Sequence, residues 1–220
     1  MNMDFLKNKG SFMQRCVIIG GAEIKNYHRI KSKLNKNDYF IFCDSGLKHQ
    51  KELDIEPNLI IGDFDSINKP ETKTEIIHLP CEKDDTDTFY AVKEAIKRGF
   101  TTFLLIGVTG NRLDHTLGNL SALLYLYKQG KSASIIDDYS LMQIVDDKPI
   151  IINEAKYFSL LNISGAAQGV NIENAKYPLK DATIDSEYSY CVSNEVLEDK
   201  QAKIYVKNGQ MLLIIVEEEG

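Results

Sequence analysis

The sequence predicts an α/β protein with an N-terminal, mostly parallel sheet flanked by helices, followed by a small antiparallel β-sandwich or barrel. In roughly the first 135 residues, short runs that are apolar on both faces alternate with segments of helical periodicity, as expected of βαβ units. Beyond about residue 138, short strand patterns follow one another with turn residues between them. At 220 residues the chain is long enough for one large domain or two modest ones.

The first half contains short apolar runs separated by helix-period segments. The predicted strands are CVIIGG, YFIFCDSG, NLIIGDFD, TEIIHLP, TFLLIGV and ASIID. Helices are predicted over residues 86–98 and 115–129, with Gly99 and Gly130 placed to end them. Their predicted apolar stripes are Phe89, Val92 and Ile96 in the first helix, and Leu117, Leu120, Leu124 and Tyr127 in the second.

The second half has the spacing of a small antiparallel β structure. Its predicted strands are LMQIVDD, PIIINE, YFSLLNIS, GVNIE, VSNEVL, AKIYVK and MLLIIVE. Asn208-Gly209 lies between the last two and is a strong signal for a β-hairpin.

The composition narrows the class of protein. A hydrophobic fraction of 43% suits a globular protein with a core, and a net charge of −6 with a pI near 5.3 argues against a nucleic-acid surface. Four cysteines lie far apart with no C-x-x-C pair, as in a reducing compartment. No signal-peptide pattern and no apolar run of membrane-spanning length is found. We therefore expect a cytoplasmic protein that binds neither nucleic acid nor membrane.

Carboxylates follow the predicted strands at several places. They are Asp44 after FIFC, Asp63 and Asp65 after LII, Asp84, Asp85 and Asp87 in the EKDDTD segment, and Asp114 beside Arg112 and His115. Ligands of an open parallel sheet bind beyond the carboxyl ends of the strands, so we expect these acids at one edge. Taken alone, each acid has a structural role as readily as a functional one, and Asp85 or Thr86 is suited to capping a helix.

Asp63 and Asp65 form the sharpest signal among these acids. Two like charges this close repel each other unless a cation or a strong donor lies between them. Mg²⁺ fits best, because it takes oxygen ligands and usually binds through one or two carboxylates together with substrate phosphates. The chain has neither a P-loop nor a G-x-G-x-x-G motif. Phosphate contacts are therefore expected from Gly20-Gly21, the GVTGNR segment, helix N-termini, Arg112 and Lys83.

Three segments in this order, PNLIIGDFDSI, EKDDTDTFYAV and GVTGNRLDHTLGNL, resemble the thiamine pyrophosphokinases, which show G-D-F-D-S, K-D-x-T-D and G-x-x-G-x-R-x-D-H. The later segments YFSLLNISGAAQGVNIENAKYPLKDATI and VSNE are similar to the family's C-terminal thiamine-binding domain. The resemblance implies a Rossmann-like catalytic domain that binds the nucleotide at 13–138, and a thiamine-binding β-sandwich at 139–220. It also implies a homodimer with sites shared between subunits. The implied reaction is ATP plus thiamine giving AMP plus thiamine diphosphate, with Mg²⁺.

The resemblance also implies roles for individual positions. Asp63, Asp65 and Asp87 match the metal-handling acids, and together with Asp114 they are the expected catalytic residues. The expected ATP-binding residues are Gly20, Gly21, Asp44, Lys83, Thr86, Arg112 and His115, and the expected thiamine-binding residues are Ser193 and Asn194. Ser45 stands where the family has the first glycine of A-D-G-G. Because serine takes up positive φ less readily than glycine, this departure bears on the backbone of that loop.

Two other interpretations stay open. A phosphatase of the haloacid-dehalogenase type also carries a D-x-D signature after a strand, but normally after its first strand, whereas GDFD follows the third predicted strand here. That interpretation leaves the R-x-D-H segment and the second half unexplained. A non-catalytic nucleotide sensor on the same fold would bind phosphates without needing the carboxylate pair at their centre.

Overall fold

The protein consists of a large mixed sheet covered by helices and a smaller antiparallel sheet packed against its far end. The structure, a computed structural model, describes residues 14–64, 72–80, 82, 84–110, 112–163, 165–187, 189 and 191–217. Two predicted site residues, Asp65 and Lys83, lie outside these ranges. The predicted fold class is confirmed, since a mostly parallel sheet with helices precedes a separate antiparallel sheet.

The first half forms the parallel part of the large sheet. Its strands are β1 (Cys16–Ile19), β2 (Tyr39–Cys43), β3 (Leu59–Gly62), β4 (Glu75–His78), β5 (Thr102–Ile106) and β6 (Ser132–Ile136). They run in the spatial order β4-β3-β2-β1-β5-β6, and every neighbouring pair is parallel. All of the apolar runs predicted as strands in this half are strands in the structure. The inner strands β1 and β3 are buried along their whole length, which explains their apolar residues on both faces.

Helices cover both faces of this parallel part. They are α1 (Tyr27–Ser32), α2 (Gln50–Leu53), α3 (Asp87–Lys97) and α4 (Leu113–Lys128), and a 3-10 helix spans Asp44–His49. One face of β1 packs with α3 and α4 through residues such as Ala91 and Leu123. The opposite face packs with α1 and α2 through Ile30 and Leu53. The helix predicted over 86–98 is confirmed as α3, which the Thr86 side chain caps.

The predicted apolar stripe of the second long helix is wrong. The residues of α4 that are buried are Asn119, Ala122, Leu123 and Leu126, whereas Leu117 is 55% exposed. The second half of α4 is apolar on nearly every side, so the sequence period alone does not determine which side meets the sheet. Packing against α3 and β6 selects the face that contains the small residue Ala122.

The second half extends the large sheet and adds the smaller one. Its strands are β7 (Ser140–Val145), β8 (Ile150–Ile152), β9 (Tyr157–Asn162), β10 (Ala167–Glu173), β11 (Leu179–Ile184), β12 (Ala202–Asn208) and β13 (Met211–Val216). The large sheet continues from β6 through β7, β13 and β9, all antiparallel, and the smaller sheet has the order β11-β10-β12-β8. The core between the two sheets includes Phe158 and Leu213 from the large sheet and Val170 and Ile204 from the small one.

Two sequence predictions for the second half are wrong, and one strand was missed. The segment VSNEVL forms only isolated bridges, one of them between Phe158 and Asn194. Strand β11 was not predicted because its LKDATI sequence is largely exposed at a sheet edge and lacks an apolar run. Asn208-Gly209 does not close a hairpin ladder, since β12 pairs within the small sheet and β13 within the large one. The turn carries the chain across the sandwich instead.

Among the described helices, none has the length and apolar character needed to cross a membrane.

Candidate active site

Three aspartates from three segments converge at the carboxyl edge of the parallel sheet. Asp44 follows β2, Asp63 follows β3, and Asp87 is the first residue of α3. Each offers a carboxylate oxygen, and these oxygens lie within 4.8 Å of one another. Because β2 and β3 are parallel neighbours, their ends meet at the same edge of the sheet. The structure thus brings Asp63 and Asp87 together as predicted neighbours and adds Asp44, which the sequence had grouped with the nucleotide contacts.

The backbone around Asp44 is shaped for this approach. Asp44 has a φ of 35°, in the left-handed region that non-glycine residues seldom adopt, and it turns the chain from β2 into the 3-10 helix. Gly62 lies beside it on β3, where an added Cβ would lie 2.9 Å from the Cβ of Asp44. A side chain at position 62 would therefore displace Asp44. Ser45 itself does not have a positive φ, so the departure from the family's glycine does not strain this loop.

A cleft of about 410 Å³ lies at the same edge of the sheet, lined by residues that include the sequence neighbours of two of the aspartates. Its lining comes from the turn after β1, the 3-10 helix, the loop between β5 and α4, and the first turns of α3 and α4. Its lining includes Gly21, Ala22, Ser45, Lys48, Thr88, Arg112, His115 and Asn119. The three aspartates are not themselves lining residues, but Ser45 and Thr88, which directly follow Asp44 and Asp87 in sequence, are.

Among the predicted nucleotide contacts, Gly21, Arg112 and His115 line the cleft. Gly20 lies beside it at a close crossing of two loops, where an added Cβ would be 2.6 Å from the carbonyl oxygen of Gly107. Thr86 caps α3, accepting a hydrogen bond from the Phe89 N–H at 3.2 Å. This is the capping role that its sequence position also allowed.

Arg112 and Asp114 form an exposed ion pair at the mouth of the cleft. The guanidinium donates two hydrogen bonds to the carboxylate, from Nε at 2.9 Å and from Nη2 at 2.6 Å. Hydrogen bonding from Arg112 holds the pKa of the Asp114 carboxyl well below its usual range. The Asp114 side chain is 64% exposed and is not part of the group formed by the other three aspartates. Its position instead orients Arg112.

The two predicted thiamine-binding residues lie in the second half, away from this cleft's lining. Asn194 is 3% exposed, and its amide is used by the backbone: Oδ1 accepts from the N–H groups of Tyr177 and Glu195, and Nδ2 donates to the Tyr177 carbonyl. Ser193 is exposed, has a φ of 58°, and its backbone N–H donates to the Ser159 hydroxyl at 3.0 Å. Asn194 therefore fixes the turn that presents Ser193.

Several cleft residues were not identified from the sequence. Lys48 donates to the Gly21 carbonyl at 2.5 Å and adds a cation to the cleft. Asn119 is buried and donates to the Val108 carbonyl at 2.7 Å, which fixes the loop before α4. A polar residue on the buried face of a helix is a usable signal, but the predicted stripe of α4 lay on the wrong side. Nothing in the sequence pattern distinguished Lys48 from an ordinary surface lysine.

The fold and the site together define an α/β protein with an acidic group and a cleft at the carboxyl edge of its sheet and a β-sandwich as its second part. Two family models match the chain: "Thiamin pyrophosphokinase, catalytic domain" over residues 30–135, and "Thiamin pyrophosphokinase, vitamin B1 binding domain" over residues 144–211. The chain belongs to the thiamin pyrophosphokinase family.

Individual relatives agree with this assignment. The chain is 26% identical over 211 residues to the thiamine pyrophosphokinase of Bacillus subtilis, covering 92% of this chain and 98% of the relative. It is 24% identical over 221 residues to thiamin pyrophosphokinase 1 of Caenorhabditis elegans, covering 93% and 89%. The crystal structure of the Bacillus subtilis thiamine pyrophosphokinase has the same fold, with a TM-score of 0.82 at 23% identity over 94% of this chain and 100% of that one.

Proposed function

We propose that this chain catalyses the reaction of its family, transferring the pyrophosphoryl group of ATP to the hydroxyl of thiamine to give thiamine diphosphate and AMP. One observation carries the proposal: the carboxylates of Asp44, Asp63 and Asp87 converge beside a cleft that also holds the cations of Lys48 and Arg112. In the reaction the thiamine hydroxyl loses its proton and its oxygen bonds to the β-phosphorus. The bond from that phosphorus to the α,β-bridging oxygen breaks, and AMP leaves with the electron pair of that bond.

The donor set of the acidic group fits Mg²⁺. Three carboxylates offer hard oxygen donors within 4.8 Å of one another, which is the chemistry that Mg²⁺ selects. Asp44, Asp63 and Asp87 would hold the ion, and Asp65, two residues beyond Asp63, is a further proposed ligand. When bound, Mg²⁺ neutralises phosphate charge at the site of transfer.

The chain's own residues bind and orient the nucleotide. Asp114 holds the Arg112 guanidinium through two hydrogen bonds, which leaves its remaining N–H groups to contact phosphate oxygens. The other proposed nucleotide contacts are Gly20, Gly21, Lys83, Thr86 and His115, and Lys48 joins them. Positioning and electrostatic stabilisation supply most of the catalysis in such a transfer.

Thiamine is proposed to bind at the exposed Ser193, held in place by Asn194. Ser193 lies outside the cleft lining. The proposed homodimer explains this separation, because each of its sites combines the 13–138 domain of one subunit with the 139–220 domain of the other. The proposed location is the cytoplasm.

Subunit mixing tests the shared site. Ser193→Ala and Asp63→Asn subunits, each inactive alone, should together recover about a quarter of wild-type activity, since half of randomly mixed C₂ dimers are heterodimers with one intact site. No recovery in samples with proven subunit exchange would show that each site is built within one chain.

Product identification tests the reaction itself. The protein is incubated with ATP, Mg²⁺ and thiamine, and the products are separated by chromatography. The expected products are AMP and thiamine diphosphate in equal amounts. ADP with thiamine monophosphate would contradict the proposal. Thiamine-independent release of phosphate from simple esters would indicate the phosphatase, and nucleotide binding without turnover would indicate the sensor.

A further inference from the structure

His49, which no sequence motif singled out, lies between the nucleotide side of the cleft and Tyr27. It ends the 3-10 helix and is 1% exposed. Its Nε2 lies 2.8 Å from the carbonyl oxygen of Ala22, and its Nδ1 lies 2.7 Å from the hydroxyl of Tyr27. Both ring nitrogens of this buried side chain are therefore engaged, one of them by a residue that lines the cleft.

The chemistry of the two partners fixes the tautomer of the ring. A carbonyl oxygen only accepts hydrogen bonds, so Nε2 must carry the proton and donate to Ala22. Nδ1 then accepts from the Tyr27 hydroxyl. Burial lowers the pKa of His49, which favours the neutral imidazole that this arrangement needs.

The Ala22 peptide belongs to a turn, residues 20–23, that forms one wall of the cleft. The Ala22 N–H donates to the Gly107 carbonyl at 2.8 Å, so the residue is held at both its N–H and its carbonyl. Lys48, the neighbour of His49, donates a hydrogen bond to the carbonyl of Gly21, the residue before Ala22. Two adjacent residues of the 3-10 helix thus donate hydrogen bonds to two successive carbonyls of the turn.

Carbonyl oxygens are the negative ends of peptide dipoles and repel phosphate, whereas N–H groups attract it. A loop that approaches a polyphosphate therefore binds it better when its carbonyl oxygens are hydrogen-bonded to other groups and point away from it. We infer that His49, oriented by Tyr27, is a positioning residue that holds the Ala22 carbonyl away from the nucleotide phosphates. This inference rests on the proposed function, since it concerns the affinity of the same cleft for ATP.

The test compares three variants of the full chain in steady-state kinetics and melting curves. His49→Leu removes the donor to Ala22, and Tyr27→Phe removes only the hydroxyl that selects the tautomer. His49→Gln carries an amide N–H at a similar reach and should restore the bond to the carbonyl. Exposed His28→Gln and Tyr127→Phe, whose hydroxyl bonds Asp146 elsewhere in the fold, are the matched controls.

We expect His49→Leu to raise the KM for ATP by about fivefold or more, because it removes one buried hydrogen bond. The KM for thiamine should stay unchanged. Tyr27→Phe should show a smaller rise of the same kind, and His49→Gln should lie within about twofold of wild type. Should His49→Leu fail to fold, Tyr27→Phe and His49→Gln still decide the matter.

Equal changes in both KM values, or a lowered melting temperature with an unchanged KM for ATP, would overturn the inference and make His49 a packing residue. If the wild-type chain forms no thiamine diphosphate, the proposed function fails by itself. In that case the affinity for Mg²⁺–ATP, measured by calorimetry, should still be lowered most by His49→Leu, less by Tyr27→Phe and least by His49→Gln. Equal affinities in all three variants would overturn the inference separately.

Discussion

Asp44 combines a strained backbone with a place in the acidic group. Its left-handed φ of 35° costs about 1–3 kcal/mol in a non-glycine residue, and such residues are found mostly at functional sites. The strain is retained at the one position where the chain passes from β2 into the 3-10 helix and supplies a carboxylate. The serine that replaces the family's glycine comes one residue later, at an ordinary φ.

Gly62→Ala tests how tightly Asp44 is held. The new methyl group would lie 2.9 Å from the Cβ of Asp44, closer than such contacts occur, so Asp44 must move. We expect loss of most thiamine diphosphate formation, with the variant still folded, as measured by product formation and circular dichroism.

Gly118→Ala is the matched control for that substitution. Gly118 lies in α4 with nothing within 4 Å of an added Cβ. Alanine there should leave activity unchanged and stabilise the helix by about 0.5–1 kcal/mol. Full activity in Gly62→Ala would show that the position of Asp44 does not matter for catalysis.

The sequence predicted which residues belong to the site better than it predicted which of them lie next to each other. Asp63 and Asp87 were recognisable because carboxylates after parallel strands meet at one edge of the sheet. The place of Asp44 beside them depends on a left-handed residue, which the sequence of an aspartate followed by serine does not reveal. The contribution of Lys48 depends on a 3-10 helix that directs it to the turn after β1, and a single exposed lysine carries no such signal.

At the scale of elements, burial decided which predictions succeeded. Strands β1, β2, β3 and β5 were predicted because buried strands of a parallel sheet need apolar residues on both faces. The less buried strands β4 and β6 were recognisable because each contains a pair of adjacent isoleucines. Helix α3 was predicted within about one residue at each end, since Thr86 caps it and Gly99 follows it.

The failed predictions concern elements whose form depends on distant contacts. The exposed face of α4 was misassigned because its sequence is apolar nearly all round. VSNEVL has the composition of a strand, but the buried amide of Asn194 bonds the backbone of Tyr177 and Glu195 and holds a turn there. Asn208-Gly209 has the residues of a hairpin, but the strands on either side belong to different sheets. The local sequence pattern predicts that a turn forms, but it does not predict which strands the flanking segments pair with.

At the scale of the molecule, the two halves share one sheet and are also joined by hydrogen bonds and an ion pair. Strand β7 pairs with β6 in the large sheet, and the predicted boundary near residue 138 lies in the turn between these two strands. Beside it, the Asp138 carboxylate accepts hydrogen bonds from the N–H groups of Lys25 and Asn26. Arg29, 4% exposed, pairs with Glu217 at 2.8 Å beyond the last strand. The sandwich is thus attached close to the turn that leads into α1.

The central claim is that the aspartates at the carboxyl edge hold Mg²⁺ for the transfer, and Asp63→Asn tests it most directly. Asparagine is nearly isosteric with aspartate, but its neutral amide is a poor substitute for a hard anionic ligand. Removing one of several neighbouring like charges should leave the metal-free protein as stable as before or slightly more so. Asp54→Asn is the matched control, because Asp54 is an exposed acid at the end of α2, in a left-handed conformation that asparagine also adopts.

The measurement is the initial rate of AMP formation at saturating Mg²⁺ and thiamine, paired with a melting curve recorded without metal. Asp63→Asn should lose about a thousandfold or more in rate at an unchanged or slightly higher melting temperature, while Asp54→Asn behaves as wild type. Near-normal turnover in Asp63→Asn would contradict the account, and so would a loss of rate that is matched by a much lower melting temperature.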